Sequence, residues 1–511
     1  MRILFIDIDT LRADHLGCYG YHRDTSPNLD RLAQDAVRFE NNFVTDAPCL
    51  PSRTALWSGR FGFRNGVVGH MGSSADPFND GCPRGFRDSY DATSWMSALR
   101  QAGLYTVTVS PFGERHSAWE WYAGYREMYN PGKGGMESAE EVIPTAIDWI
   151  ERNGDKDDWF LHVNVWDPHT PYRVPEEYGD RFADDPLPAW MTEELRQQCW
   201  DGFGPHSAQE LAGHDLNEAW ASRYPRVPLQ LNSMEALRRW IDGYDMGIWY
   251  ADLWICKLLE SLEAKGILED TVIVVSSDHS ESQGEFNVWG DHQTADPSVC
   301  RVPLLIRWPG VTDNNSACAE PAACAGSQSS TNAGRVDRAL HYHFDWAATL
   351  IEMAGGTVPA NWDGVPFTEA FKAGVEQGRP YLVTSQGAWS VQRAVRFDVE
   401  GEAWVCLRTY HDGHKELDPV MLFNLTRDPY MQHTLIAERP DLVDKAMGML
   451  AEWHHAMMLK SATNVDPLMT VLREGGPSHT RYQLPAYLER LRATGRAHHA
   501  ERLAKLHPDE V

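Results

Sequence analysis

Short apolar runs that alternate with amphipathic helical stretches constrain the fold of this chain more than any other feature. The runs at residues 3–8, 105–109, 160–166 and 271–276 have the length and apolar content of buried strands. Helical periodicity is present at residues 140–152 and 234–262, and further helices are predicted to begin at Ser26-Pro27 and at Pro51. Strands alternating with helices predict an α/β protein with a large mixed, mostly parallel sheet sandwiched by helices.

Acidic and histidine residues follow three of these predicted strands directly. Asp9 comes after the first strand, Asp167 to His169 after the third, and Asp278-His279 after the fourth. Because the carboxyl ends of parallel strands meet at one edge of a sheet, such folds bind their ligands there. The sequence therefore predicts a functional site that contains these residues.

The composition of the chain changes near residue 375, which indicates more than one structural unit. Short strands in meander order are predicted at residues 381–384, 392–397, 403–409 and 421–424, and a helix at residues 441–460. We predict a catalytic α/β domain at residues 1–375, a small α+β domain with an antiparallel sheet at residues 376–460, and an extended C-terminal tail at residues 461–511. Residues 312–334, rich in Ala, Ser, Asn and Gly, are expected to form a surface loop.

The charge balance excludes some classes of partner. The chain has 46 Lys and Arg against 73 Asp and Glu, which gives a formal net charge of −27. Such a surface repels nucleic acid and anionic lipid, so neither nucleic acid nor a membrane is expected as a partner. The chain begins Met-Arg-Ile-Leu-Phe without a leader pattern, so a cytoplasmic location is expected. An anionic substrate would need positive charge supplied within the site itself.

One of the nine cysteines, which show no disulfide framework, lies in the most informative segment of the chain. The segment runs Cys49-Leu50-Pro51-Ser52-Arg53-Thr54-Ala55-Leu56-Trp57-Ser58-Gly59-Arg60. It resembles the signature of the formylglycine-dependent sulfatase family, Cys-x-Pro-Ser-Arg followed by an apolar position, Gly and Arg. The resemblance implies an alkaline-phosphatase-like fold and oxidation of Cys49 to formylglycine by a formylglycine-generating enzyme.

The residues of this motif have the chemical properties that binding an anion requires. A helix that starts at Pro51 puts Cys49 near its N-terminus, where free N–H groups and the helix dipole favour negative charge. Arg53 offers a planar fork of donors to a sulfate group or to the nucleophile. A hydrated aldehyde has two geminal hydroxyls, so one can attack sulfur and the other can later expel sulfate.

A second segment extends the resemblance. The family has three segments in a fixed order: a strand followed by Ser-Asp-His-Gly, then Trp-Gly-Lys, then Arg-Val-Pro. This chain has the corresponding segments in the same order, as Ser277-Asp278-His279, Trp289-Gly290-Asp291-His292 and Arg301-Val302-Pro303. Two positions depart from the pattern: Ser280 replaces the Gly, and Asp291-His292 stands where the Lys is expected. We assign the role of that Lys, sulfate binding or proton donation, to His292.

The resemblance also implies a divalent metal. The predicted ligands are Asp9, Asp278 and the modified Cys49, with His279 as a nitrogen ligand; oxygen donors of this kind suit a hard cation. The family often has two consecutive Asp after the first strand, but here Thr10 replaces the second and is expected to face the substrate. Asp7, two residues earlier on the same strand face, is either a candidate fifth ligand or a buried acid that is satisfied within the protein. Calcium is the expected ion, with magnesium and manganese as alternatives.

Three further histidines are candidates for proton transfer or substrate contact. His169, in Asp167-Pro168-His169-Thr170-Pro171, resembles the family's strand-end His and is predicted to protonate the leaving group. Arg115 and His116 occupy the place of the family's Gly-Lys-x-His, as a substrate-binding cation and a catalytic base. His70 lies where related enzymes place a polar residue that faces the substrate.

These observations leave three hypotheses. The first is a hydrolase of sulfate monoesters on small molecules or saccharides. The second is a phosphonate monoester or phosphodiester hydrolase, which shares the nucleophile and tends to have extended C-terminal segments and to form homo-oligomers. The third, a catalytically inactive binding protein, is disfavoured because Cys49, Arg53, Asp278 and His279 are all present.

Overall fold

The computed structural model describes residues 1–78, 92–312 and 334–510. Its strands are β1 (Arg2–Ile8), β2 (Val37–Phe43), β3 (Asp46–Ala47), β4 (Tyr105–Val109), β5 (Glu127–Tyr129), β6 (Trp159–Val165), β7 (Thr271–Ser276), β8 (Ser282–Gln283), β9 (Trp289–Asp291), β10 (Arg301–Val302), β11 (Leu304–Arg307), β12 (Val336–Tyr342), β13 (Tyr381–Gln386), β14 (Val391–Val399), β15 (Glu402–His411) and β16 (Val420–Asn424). Its α-helices are α1 (Pro27–Ala33), α2 (Cys49–Ser58), α3 (Gly62–Asn65), α4 (Trp95–Gln101), α5 (Phe112–Arg115), α6 (Ala139–Asn153), α7 (Glu193–Asp201), α8 (Glu218–Arg223), α9 (Met234–Ala264), α10 (Pro297–Cys300), α11 (His343–Met353), α12 (Thr368–Ala373), α13 (Pro440–Lys460), α14 (Pro467–Arg473), α15 (Leu484–Ala493) and α16 (Ala497–Leu506).

The largest element is a nine-stranded sheet in the order β10-β2-β11-β7-β1-β6-β4-β5, with β12 paired to β2. Strand β1 is central and runs parallel to both β6 and β7, and β4 continues the parallel part. Only β10 and β11 pair in the antiparallel sense among the described strands of this sheet. The predicted mixed, mostly parallel sheet is confirmed.

Both faces of the central sheet are covered. Along β1, Leu4, Ile6 and Ile8 pack into one apolar core, which includes residues of α6 and α9. The alternate residues Ile3 and Phe5 pack into a second core on the opposite face. Because successive side chains of a strand point to opposite faces, a strand buried on both sides is a continuous apolar run. This explains why the β1 segment shows no polar alternation.

A smaller sheet forms near the C-terminus, in the order β16-β15-β14-β13-β3. Its strands β13 to β16 form an antiparallel meander, and α13 packs on the apolar face of that meander. The separate small C-terminal sheet is therefore as predicted, although β3 adds a strand from the N-terminal part of the chain. The boundaries drawn at residues 375 and 460 stay predictions.

The segment predicted as an extended tail contains the three helices α14, α15 and α16. Helices α15 and α16 share a small apolar core with Phe203, which lies between α7 and α8. The tail is therefore helical and packs against the body of the protein through Leu484, Leu488 and Leu503.

Two further expectations concern the surface. Apart from residues 312 and 334, the predicted loop at residues 312–334 lies outside the described residues. Across the described ranges, no helix combines the length and the apolar character that crossing a membrane requires.

Candidate active site

Four neighbouring parallel strands carry the predicted site residues to one edge of the central sheet. Asp278 and His279 follow β7, and Asp9 follows β1. His169 lies shortly after β6, and Arg115 ends the helix α5 that follows β4. Because these strands are adjacent and parallel, their carboxyl ends place residues that are far apart in sequence next to one another.

Cys49 is the first residue of α2, and every residue of this helix is buried. Its Sγ lies 3.1 Å from Nε2 of His279. The Ser52 hydroxyl, one turn further along, donates a hydrogen bond to the backbone carbonyl of Asp278. This contact fixes the N-terminal turn of α2 against the residues that follow β7.

Four donor groups converge in the site: Asp9, Cys49, Asp278 and His279 each offer an atom, and these atoms all lie within 4.8 Å of one another. Oδ1 of Asp9 is buried and has no hydrogen-bond partner among the described residues. Oδ2 of Asp278 also lacks a hydrogen bond there, and its near neighbours are Nη2 of Arg53 at 3.1 Å and Nε2 of His279 at 3.4 Å. Buried carboxylate oxygens need a cation or a donor to offset their desolvation. Asp9, Asp278 and an oxygen-bearing side chain at position 49 would therefore fit a divalent cation that prefers oxygen ligands.

Two arginines, the buried Arg53 and the partly exposed Arg115, pair with the carboxylates of the site. Arg53 donates hydrogen bonds to Asp7 and, over 3.0 Å, to Oδ2 of Asp9, and its Nη2 lies 3.1 Å from Oδ2 of Asp278. Arg115 donates to the same oxygen of Asp9 over 2.7 Å. Three carboxylates thus face two guanidinium groups, so the ionised site is net negative without a metal. A divalent cation would make it attractive to an anionic ester.

Burial and neighbouring charges shift the pKa values of these groups. Burial raises the pKa of Asp9 to about 6, against the opposing effect of Arg115. For Asp278 burial also opposes ionisation, but the charges of Arg53, His279 and Arg115 outweigh it and lower the pKa. Burial, with the charge of Asp9, raises the pKa of the Cys49 thiol well above its usual range. An unmodified Cys49 is therefore protonated near neutral pH and is a weak nucleophile.

Histidines surround the sulfur of Cys49. His70 and His116 each offer a donor atom within 4.8 Å of Cys49 and of each other, as do His279 and His292. The His169 ring lies 5.5 Å from that of His292, between ring centroids, and stacks on Trp166. His70, His116 and His169 are partly exposed, whereas Cys49, His279 and His292 are buried. The three partly exposed rings mark the side from which solvent reaches the cluster.

His70, His116, His169 and His292 are held in their neutral form. Burial lowers the pKa of His292 to about 3, and burial lowers the pKa of His70, His116 and His169 well below the usual range. For each of them, the charge of neighbouring histidines or arginines lowers the pKa further. His169 Nδ1 donates a 2.6 Å hydrogen bond to the carbonyl oxygen of Thr170. In the neutral ring Nδ1 therefore has the proton and Nε2 has a lone pair.

Thr10 and Asp7 flank the converging donors. The Thr10 amide donates a 3.4 Å hydrogen bond to Oδ1 of Asp278, and its own hydroxyl is buried with no partner in the described part of the chain. Asp7 accepts a hydrogen bond from Arg53, and its Oδ2 lies 3.3 Å from Nε2 of His162. Asp7, a candidate metal ligand by sequence, is in this structure a partner of Arg53 and is outside the group of four converging donors.

One residue at the site was missed by sequence reasoning. His479, in the tail between α14 and α15, places Nε2 3.0 Å from Nδ1 of His70. The tail is also tied to the same loop by Glu474, which accepts a hydrogen bond from Ser73. The richness of the tail in His was the sole signal, and no local spacing links residue 479 to residue 70.

Residues 2–356 match the protein-family model described as Sulfatase, and the chain belongs to this family. The matched region contains all strands of the central sheet and the four converging residues Asp9, Cys49, Asp278 and His279.

Two curated relatives show the range of the similarity. Human iduronate 2-sulfatase is 24% identical over 348 residues, which cover 61% of this chain and 60% of that enzyme, less than two thirds of its length. The choline-sulfatase of Rhizobium meliloti is 25% identical over 465 residues, which cover 81% of this chain and 78% of that enzyme.

Solved structures show the same fold. A protein in complex with its substrate D-glucosamine-2-N,6-O-disulfate matches with a TM-score of 0.67 at 17% identity, over 91% of this chain and 99% of the other. The phosphonate monoester hydrolase of Silicibacter pomeroyi matches with a TM-score of 0.63 at 19% identity, over 92% and 97%. At these identities the match supports the fold and does not separate sulfate from phosphonate chemistry.

Proposed function

We propose that this chain hydrolyses sulfate monoesters of small carbohydrates, with a formylglycine derived from Cys49 as the nucleophile and a bound divalent metal, most simply Ca²⁺. The observation that carries the proposal is the convergence of Asp9, Cys49, Asp278 and His279 within 4.8 Å at the N-terminus of a buried helix. Maturation then depends on a formylglycine-generating enzyme as a transient partner.

Asp9, Asp278 and the modified residue 49 would hold the metal, with His279 beside them. When present, hydrated formylglycine supplies the attacking hydroxyl, and the metal favours its ionised form. Calcium fits the two carboxylates, and the nitrogen of His279 keeps magnesium and manganese as alternatives. The raised pKa of the Cys49 thiol supports a modified nucleophile, because the unmodified side chain is protonated.

The two arginines orient the carboxylates of the site and place positive charge near the sulfate group. Arg53 contacts Asp7, Asp9 and Asp278, so its guanidinium holds the metal-binding carboxylates in place. Arg115 is positioned by Asp9 next to the same cluster and presents positive charge to a sulfate group. Arg115 takes the place of the Lys in the family's Gly-Lys-x-His segment, and His292 takes the place of the Lys that the family pattern has after Trp-Gly.

Two histidines are assigned to different proton transfers, His116 as a base and His169 as an acid. His116 is neutral and its Nε2 has no hydrogen-bond partner among the described residues, so it is able to accept a proton. His169 is assigned as the acid that protonates the leaving oxygen. Its Nε2 lacks a proton in the free enzyme, and the negative charge of a bound sulfate ester would raise its pKa and favour protonation.

The substrate class rests on the relatives. Iduronate 2-sulfatase and the structural neighbour bound to D-glucosamine-2-N,6-O-disulfate are named for sulfated sugars. The choline-sulfatase is named for a sulfate ester that is not a sugar, so a small non-carbohydrate ester is the first competitor within the sulfate class.

A phosphonate monoester or phosphodiester hydrolase is the second candidate function. The observation that favours it is the fold match to the phosphonate monoester hydrolase, together with the absence of the family's Lys after Trp289-Gly290. Charge does not separate the two, because a sulfate monoester, a phosphonate monoester and a phosphodiester each have one negative charge. The substituents on the central atom decide: a sulfate monoester presents three non-bridging oxygens, whereas the phosphorus esters present two non-bridging oxygens and a carbon or second ester substituent.

Initial rates on an aryl sulfate, a phosphonate phenyl ester and a set of sulfated monosaccharides and disaccharides test the proposal. The sulfate esters are expected to give the higher kcat/KM, and Cys49→Ala is expected to abolish turnover of all of them. Tyr482→Ala, a change at a side chain that is 90% exposed, is the matched control and keeps full activity. Strong preference for the phosphonate with no turnover of any sulfate ester would contradict the proposal.

A further inference from the structure

A second cluster of metal-ligating side chains lies at the end of the chain and shares no residue with the Cys49 site. His411 ends β15, His414 follows in the turn, His507 comes directly after α16, and Glu510 follows one turn later. We name these four residues the terminal cluster. Their sequence forms are His-x-x-His and His-x-x-Glu, two pairs of ligands with the same spacing.

The donor atoms of the terminal cluster converge on one point. All four residues offer atoms within 4.8 Å of one another. Oε1 of Glu510 lies 3.0 Å from Nε2 of His411 and 2.8 Å from Nδ1 of His507, and Oε2 lies 3.1 Å from Nε2 of His414. In a tetrahedral zinc site with Zn–N bonds of 2.0–2.1 Å, neighbouring donors are about 3.3 Å apart. The distances from Glu510 to the three histidines are slightly shorter than this, and the donor atoms of the three histidines lie within 4.8 Å of one another.

The residues around the terminal cluster position its histidines as in metal sites. His507 Nε2 lies 2.8 Å from Oδ1 of Asp412, so that Nδ1 is left to face Oε1 of Glu510, 2.8 Å away. A carboxylate on the far nitrogen of a ligating imidazole fixes the ring and raises its basicity in metal sites. The His414 side chain is fully buried, and its Nδ1 has no hydrogen-bond partner in the described ranges.

We propose that the terminal cluster binds a zinc ion through His414, His507, Glu510 and His411. Three imidazoles and one carboxylate suit Zn²⁺ rather than Ca²⁺, which prefers oxygen ligands. His411 contributes least, because the Gly413 amide donates to its Nδ1 over 3.0 Å and this bond has to break when Nε2 takes a metal.

Zinc at this position would pin the end of the chain to the connection between β15 and β16. The tail that it fixes includes His479, which contacts His70 at the Cys49 site. The inference does not rest on the proposed function, because its ligands and its metal are separate from those of the catalytic site.

Zinc binding by equilibrium dialysis against zinc chloride, with metal content measured by mass spectrometry, tests the proposal. The full chain is used in a Cys49→Ser background, because Cys49, His279 and His292 also bring donor atoms within 4.8 Å of one another. We expect one tightly held zinc per chain, and a tetrahedral cobalt spectrum when Co²⁺ replaces it.

The variants His414→Ala and Glu510→Gln are expected to lose this zinc, while the control His498→Ala, an exposed histidine of α16, keeps it. Glu510→Gln preserves the shape of the side chain, and circular dichroism checks that both variants are folded. The proposal is overturned if the parent chain binds no zinc in this assay, or if both variants bind as much as the control.

Discussion

At the scale of single residues, the site depends on how a few charges are balanced. Arg53 reaches Asp7, Asp9 and Asp278 at once, and Arg115 adds a second guanidinium on Asp9. The motif around Cys49 made Arg53 predictable, because the whole segment resembles one family signature. The pairing of Arg115 with Asp9 was not predictable, because it depends on the three-dimensional position of α5.

The first prediction concerns His169 as the acid. His169→Ala is expected to lower kcat/KM about a hundredfold or more for sulfate esters with poor leaving groups, and far less for aryl sulfates, since an aryl oxide needs little protonation. Steady-state rates across a series of leaving groups measure this.

His116→Ala is the comparison for that series. A residue that does not protonate the leaving oxygen should slow good and poor leaving groups to the same degree. If His169→Ala also slows both equally, His169 is not the acid, and His292 becomes the candidate.

At the scale of elements, the strands were predictable where the chain is buried on both faces. The runs at 105–109 and 271–276 match β4 and β7, because a continuous apolar run leaves few alternatives. The helix that begins at Ser26-Pro27 is shorter than its apolar spacing indicates: Leu29, Ala33 and Val37 have helical spacing and predict a helix through Val37, but α1 ends at Ala33 and Val37 begins β2. A short run of apolar residues is compatible with the period of a helix and with that of a strand. Here pairing with β11 and β12 makes the segment from Val37 a strand.

The N-terminus of α1 shows a similar limit. Ser26 was expected to cap this helix, but its hydroxyl donates to Asp30, and Asp252 of α9 accepts from the Asn28 and Leu29 amides over 3.1 and 2.8 Å. A cap supplied from more than two hundred residues away leaves no trace in the local sequence.

A second prediction tests this long-range cap. Asp252→Ala is expected to lower the free energy of unfolding by about 2 kcal/mol, because it leaves buried amides without an acceptor. Urea denaturation followed by fluorescence measures the change. Glu263→Ala, an exposed acid of the same helix, should change the midpoint little. Equal, small shifts for both variants would show that the cap does not stabilise α1.

At the scale of the whole molecule, the negative charge and the tail set how substrate reaches Cys49. A chain with a net charge of −27 repels anions at long range, so the attraction has to come from the metal and the two arginines within the site. The tail could not be placed from sequence, because its contacts with Phe203 and His70 are long-range and its helices are short.

A third prediction follows from the position of the tail. His479→Ala is expected to raise KM for the sulfate ester about fivefold with little change in kcat, because His479 touches His70 at the rim and is not one of the groups around Cys49. Tyr482→Ala, in the same segment and exposed, is the control. An unchanged KM, or a loss confined to kcat, would argue against this role.

The most direct test of the account is the mass of the peptide that contains Cys49, measured together with activity. We predict that active protein has a residue 49 lighter than cysteine by about 18 Da, as expected when a thiol is replaced by an aldehyde. Activity on the aryl sulfate should rise in proportion to the converted fraction when a formylglycine-generating enzyme is co-expressed. Full activity from protein with only unmodified Cys49, or fully converted protein that hydrolyses no sulfate ester, would contradict it.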